Sequence, residues 1–302
     1  MLRSPLEHGE IRRKLREIIE ERAAEPVIGV FSPLTALMAE EAGFKAIYIS
    51  GAALSASKTL PDLGLLTLSE IAAEAREIAA STHLPLIVDV DTGFGETINV
   101  MRTVRELEEA GSAGIQIEDQ EMPKKCGHLE GKRIVPPEVM VAKIRAAVDT
   151  RKDKNFVIIA RTDARAVEGL ESAIERARRY LEAGADVIMP EALESVEEFK
   201  IFSEEVDAPL LANMTEFGKS PLLPRSTLRR FGYSLVLYPL TLFRVAMASV
   251  EQALDILRTG ENQEALIPRI MTRKRLYQLI RYDDYERKVH LYEKFTSTRK
   301  WR

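Results

Sequence analysis

The chain is poor in the residues that announce thiol frameworks and soft-metal sites: its 302 residues hold one cysteine, one tryptophan and four histidines. A single cysteine, Cys126, leaves no intrachain disulfide and fits a reducing compartment. One thiol and four scattered histidines also supply no convincing tetrahedral zinc set. Charge of one sign is missing too, with 43 Lys and Arg against 47 Asp and Glu and a formal net charge of −4. That balance lacks the electrostatic footprint of a nucleic-acid-binding protein, and the one Lys/Arg-rich segment, 270–300, carries acidic residues as well. No apolar run reaches the length of a membrane span, and residues 1–25 are charged and helical in pattern, unlike a signal peptide. A cytoplasmic protein without nucleic-acid or membrane partners is expected. Also absent is a phosphate-binding glycine fingerprint after the first candidate strand, which argues against a doubly wound dinucleotide fold.

What the chain does have is a 45% hydrophobic fraction, enough for a large core, distributed as repeated β-α units. Apolar, β-branched runs at 27–31, 46–50, 86–91, 114–118, 156–161, 186–190, 209–213 and 234–238 read as strands. Amphipathic stretches at 68–80, 98–110, 136–149, 169–183 and 240–258 return apolar residues at three- and four-residue spacing, as helices do. Three Ala-Gly pairs, Ala42-Gly43, Ala110-Gly111 and Ala183-Gly184, mark helix ends, where glycine supplies a left-handed cap. Eight strands without a linker predict a (β/α)8 barrel of the TIM type over the single domain 1–302. A helical leader within 1–25 precedes it, and a helical tail over 268–302 follows. The apolar tail residues Leu276, Leu279, Ile280, Tyr285 and Val289 need a surface to cover, either on their own barrel or on a neighbouring subunit.

Active sites of such barrels lie where strands end and β-to-α loops begin, and polar residues collect at those ends here. They include Ser50-Gly51, Asp89 and Asp91, Glu118-Asp119, Arg161-Thr162-Asp163, Glu191, Asn213-Met214-Thr215 and, beyond the last strand, Arg244. Asp89 and Asp91 stand two apart, which on a strand places both carboxylates on one face. With Glu118 they form a hard oxygen cluster suited to Mg²⁺, or Mn²⁺, beside the tight loop 92–95; the plainer alternative is ion pairing with Arg161 or Lys124. Cys126 sits in Lys124-Lys125-Cys126-Gly127-His128, where cationic neighbours favour thiolate and lower the thiol pKa. A surface-loop cysteine without a task is the alternative. Arg161, Arg244 and Arg273 offer planar forks for carboxylates, and Ser50, Asn213 and Thr215 are short donors. A divalent metal, anion-binding groups and a proton-donating thiol describe carbon-carbon bond chemistry on a small di- or tricarboxylate.

The segments Val88-Asp89-Val90-Asp91-Thr92-Gly93-Phe94-Gly95, Lys124 to His128 and Ala160-Arg161-Thr162-Asp163 resemble the isocitrate lyase and phosphoenolpyruvate mutase superfamily, and the cysteine signature resembles its lyase branch. Met189-Pro190-Glu191-Ala192, the stretch Asn213 to Gly218 and Leu237-Tyr238-Pro239-Leu240 are most similar to the members that cleave 2-methylisocitrate. Isocitrate lyases proper are usually longer and typically carry tryptophan where this chain has Pro190. The resemblance implies Mg²⁺-dependent cleavage of 2-methylisocitrate to pyruvate and succinate, with Asp89 and Asp91 on the metal and Glu118 acting through its waters. It implies substrate binding by Ser50, Gly51, Ala52, Cys126, Gly127, Arg161, Glu191, Asn213, Met214, Thr215, Arg244 and Arg273. Cys126 would protonate the departing carbon, with Lys124, His128 and Arg161 stabilising charge; Tyr48 and Asp62 are candidates for removing the hydroxyl proton. A homotetramer, as a dimer of dimers with an exchanged C-terminal helix, and a closing Cys126 loop are implied as well. Ala52-Ala53 departs from the further glycines usual after this serine, which leaves the exact acid open. The alternatives are isocitrate cleavage, a phosphonomutase or 2-oxo acid decarboxylase of the same superfamily, and a non-catalytic metabolite-binding barrel.

Overall fold

A computed structural model describes residues 7–260 and 262–298. Its elements are α1 (His8–Glu20), β1 (Glu25–Gly29), α2 (Pro33–Glu41), β2 (Ala46–Ile49), α3 (Gly51–Ser57), α4 (Leu68–Ser81), β3 (Leu86–Asp89), α5 (Thr97–Glu109), β4 (Gly114–Glu118), α6 (Pro137–Thr150), β5 (Val157–Thr162), α7 (Leu170–Glu182), β6 (Val187–Pro190), α8 (Val196–Glu205), β7 (Leu211–Asn213), α9 (Arg225–Arg230), β8 (Leu235–Tyr238), α10 (Thr241–Thr259), α11 (Arg273–Leu279) and α12 (Tyr282–Thr298). The chain divides into two compact units, one over residues 7–244 and one from Val245 onward. Residues 1–6 of the leader and 299–302 of the tail lie outside the described residues.

The first unit is the barrel. Its eight strands are all parallel in the order β6-β5-β4-β3-β2-β1-β8-β7, and a single parallel bridge between Ile188 and Leu210 joins the two ends. The closing strand, β7, is the shortest, and Pro209, which has no N–H to donate, serves the seam through its carbonyl, which accepts from Ile188 N–H at 3.0 Å. Strands buried on both faces read as continuous apolar runs, and every residue of β1 to β7 is buried. Gly43, Gly111 and Gly184 take φ values of +86°, +95° and +103°, so all three Ala-Gly pairs end helices with a left-handed residue. Helix α1 buries Ile11, Leu15, Ile18 and Ile19. Its Arg12 donates to the Ser112 carbonyl just before β4 at 3.1 Å, so the helix lies against the N-terminal ends of the strands, opposite the site.

The second unit is helical. In α10 no residue is buried, and among this unit's described residues only Leu266 and Leu279 are.

A carboxylate corner and a thiol loop share one cavity

The C-terminal rim of the barrel encloses a cavity of about 240 Å³, lined by residues from β2 round to the start of α10. On one side stands a corner of buried carboxylates. β3 ends at Asp89, so Asp91 is not on the strand as its spacing suggested: it lies in the following turn with φ +47°, a left-handed conformation that carries its carboxylate back towards the rim. Asp89 accepts from Gly51 N–H and Asp91 N–H, both at 3.1 Å. A Cβ placed on Gly51 would lie 3.2 Å from Asp89 Oδ2 and 3.3 Å from Asp91 Oδ1, so the two carboxylates converge on one point. Burial, then the charge of Asp91, raises Asp89 to about 6, and burial pushes Glu118 well above the usual range.

Lys124 answers this negative charge. Its Nζ is 2.7 Å from Asp91 Oδ1 and also pairs closely with Asp62. Burial opposes its charge, but Glu118, Asp91, Asp89 and Asp62 together drive its pKa upward. Even so, Glu118 Oε1 and Asp91 Oδ1 are buried without an aligned hydrogen bond. Like-charged, oxygen-only ligands with unsatisfied lone pairs fit a hard divalent cation. No ready-made cage of three or more acidic, Cys or His side chains exists among the described residues, and Mg²⁺, which keeps several waters, needs only one or two carboxylates. Loop 92–95 does not approach the cavity as expected; Gly93 packs against Val100 and Ile117, and only a residue without Cβ fits there.

Arg161 forms the centre. It donates to Asp163 through Nε at 2.9 Å and Nη2 at 3.1 Å, and lies 3.3 Å from Glu118 and 3.8 Å from Glu191. Glu191 is completely buried, yet Arg161, His128 and Lys132 outweigh desolvation and hold its pKa far below normal. Asn213 Nδ2 donates to both Glu191 oxygens. His128 Nδ1 accepts from Lys219 N–H at 3.0 Å, and its Nε2 lies 3.0 Å from Glu191 Oε1. His128 therefore braces the loop against β6.

The loop carrying Cys126 leaves the rim after Asp119 and returns through an antiparallel bridge between Gln120 and Ile134. Its thiol differs from the sequence expectation: burial raises the Cys126 pKa and outweighs the opposing His128 N–H and Arg161. Lys124 turns to the carboxylates instead. That direction favours the protonated thiol, the form an acid requires. Tyr48, proposed as a base, donates to Gln116 Oε1 at 2.6 Å, and burial and then Asp89 push its phenol well above the ordinary value.

Of the expected residues, Tyr48, Ser50, Ala52, Asp62, Asp89, Lys124, Cys126, Gly127, His128, Arg161, Glu191, Asn213, Thr215 and Arg244 line the cavity. Ser50 also caps α3, accepting from Ala53 N–H at 3.4 Å. Gly51, Asp91 and Glu118 stand directly behind this lining. Met214 does not reach it; its side chain is in the core, where its sulfur accepts from Leu223 N–H. Arg244 points to Glu216, 2.7 Å from both the carbonyl and Oε2. Arg273 belongs to the second unit, exposed at the start of α11. Sequence reasoning missed the wall of Met189, Leu237, Pro239 and Leu240, since strand and loop apolar residues look alike whether they face core or cavity.

Residues 15–258 match the phosphoenolpyruvate phosphomutase family. The chain is 53% identical over 288 residues to a 2-methylisocitrate lyase of Aeropyrum pernix, covering 95% of this chain and 92% of that protein. Among solved structures, an oxaloacetate acetylhydrolase bound to 3,3-difluorooxalacetate superposes with a TM-score of 0.85 at 34% identity, over 92% of this chain and 95% of that one. A phosphonopyruvate hydrolase bound to oxalate and Mg²⁺ gives 0.84 at 30% identity, over 93% and 98%. With the fold, the rim carboxylates and these likenesses in agreement, the chain belongs to the phosphoenolpyruvate phosphomutase family, within the isocitrate lyase and phosphoenolpyruvate mutase superfamily.

Proposed function

We propose that the protein is a carbon-carbon lyase that cleaves 2-methylisocitrate to pyruvate and succinate. The observation that carries this reading is the placement of a half-buried thiol, an arginine centre and a corner of carboxylates at one small cavity. Asp89 and Asp91 would hold Mg²⁺, with Glu118 acting through its waters. The ion would supply Lewis acidity that makes the substrate's tertiary hydroxyl easier to deprotonate.

The protein's own groups perform the rest. Arg161, Asn213, Thr215 and Arg244 bind substrate carboxylates, Arg244 by exchanging its Glu216 partner for the ligand. As the hydroxyl proton leaves, the C–O bond becomes a carbonyl, the adjacent carbon-carbon bond breaks, and its electron pair passes to the succinate fragment as an enediolate. Lys124 and Arg161, both fixed beforehand, stabilise that charge without reorganising. Cys126 then gives its proton to the succinate carbon. Asp62 is the better-placed candidate for taking the hydroxyl proton, as Tyr48 is committed as a donor to Gln116. The apolar wall of Met189, Leu237, Pro239 and Leu240 gives a methyl substituent a place to sit, which favours the methylated acid over isocitrate. Four chains would assemble as a dimer of dimers with exchanged C-terminal helices, in the cytoplasm.

The test is product release from 2-methylisocitrate and from isocitrate, with Mg²⁺ and with chelator. Chelator-sensitive pyruvate exceeding any glyoxylate is the expected result. Dominant glyoxylate would make the protein an isocitrate lyase, and neither product would overturn the lyase reading.

A further inference from the structure

Lys132 is a buried cation five residues beyond Gly127, with a side chain only 1% exposed. Its ammonium donates closely to the Gly127 carbonyl and, at 2.7 Å, to Asp163 Oδ1. Asp163 is itself fixed: its N–H donates to the buried Asp119 at 2.9 Å, and its carboxylate receives Arg161. Gly127 in turn lies so close to Arg161 and Glu191 that any Cβ there would collide with both. One ammonium thus ties the backbone beside Cys126 to the rim carboxylate that orients Arg161. Sequestering a lysine from water is expensive unless its donors are used, and here they join the loop to the barrel.

We propose that Lys132 is a positioning residue that latches the Cys126 loop over the cavity through the Gly127 carbonyl and Asp163. The inference rests on the reading of Cys126 as the proton donor, but the latch itself can be tested without turnover. Cys126 is the only cysteine in the chain, so alkylation by iodoacetamide reports this loop alone. Removing the ammonium frees the Gly127 carbonyl, and the loop opens more often.

The experiment compares Lys132→Met and Lys132→Arg with the parent protein. Alkylation is followed across pH, which separates access to the thiol from a change in its pKa. In Lys132→Met, alkylation is expected to become about tenfold faster at the high-pH plateau. A kcat lower by about 100-fold is expected from a misplaced donor, with a smaller change in KM. Lys132→Arg, which keeps charge and donors, should recover most of both. Plateau alkylation and kcat within about twofold of the parent in Lys132→Met would overturn the proposal. Lys132→Gln serves as a second variant, and failure of both neutral variants to fold, read by circular dichroism, would make Lys132 a stability residue and also overturn it. If the parent protein cleaves no 2-methylisocitrate while Lys132→Met still alkylates faster, the latch stands and the activity reading falls.

Discussion

At the scale of single residues, the sign of one pKa shift decides the chemistry. A thiol beside two lysines reads in sequence as a thiolate, but Lys124 spends its charge on Asp62 and Asp91, and burial dominates at Cys126. The folded-state pKa lies above the ordinary cysteine value, so the proton is retained through neutral pH and lost only as pH rises through the raised value. Activity should therefore persist into alkaline solution, and the alkylation rate of Cys126 should titrate with a midpoint above the roughly 8.5 of a free thiol. A midpoint below that value would restore the thiolate reading. Cys126→Ser should lower turnover by about 10²- to 10⁴-fold while substrate affinity, measured by calorimetry, stays near that of the parent. Undiminished turnover would remove the thiol from the mechanism.

At the scale of elements, the site depends on how tightly a loop can approach the ends of two strands. Gly127 is buried, facing Arg161 on β5 and Glu191 beyond β6, with a hypothetical Cβ only 2.5 Å from Glu191 Cγ. Gly127→Ala should leave the melting temperature within a few degrees, since a loop and not the barrel is displaced, yet reduce turnover by about 100-fold, the usual cost of misplacing a reacting group by roughly an ångström. Turnover near that of the parent would mean that the loop does not dock in the geometry described. The strands and helices around it were legible from periodicity, because a parallel barrel buries both strand faces and its helices bury one. The ends were less so: Asp91 lies beyond β3 because a left-handed turn intervenes, which alternation of side chains cannot reveal.

For the whole molecule, the second unit poses the question of what its apolar residues cover. Val245, Val250, Leu254 and Leu257 on α10 are all exposed, as are Tyr285 and Val289 on α12. Exposed apolar patches of this kind mark association surfaces, consistent with the proposed four-chain assembly. Sedimentation velocity should find four chains for the full-length protein, and deletion of residues 268–302 should yield smaller species. A monomer at micromolar concentration would overturn the proposed assembly. Among the described residues no helix is long and apolar enough to cross a membrane.

By itself, the sequence determined the repeat of β-α units, the three glycine-ended joints and the cluster of acids, arginines and thiol at successive strand ends, because these follow from local periodicity, backbone conformation and chain order. Only the tertiary structure decided which cation meets which carboxylate: Lys124 with Asp62 and Asp91, Lys132 with Asp163, Arg161 among three acids. Charge pairing and desolvation act through space at a few ångströms, between residues up to 62 positions apart in the chain. The protonation state of Cys126, the inward turn of Asp91 and the latch at Gly127 all arise from those distances.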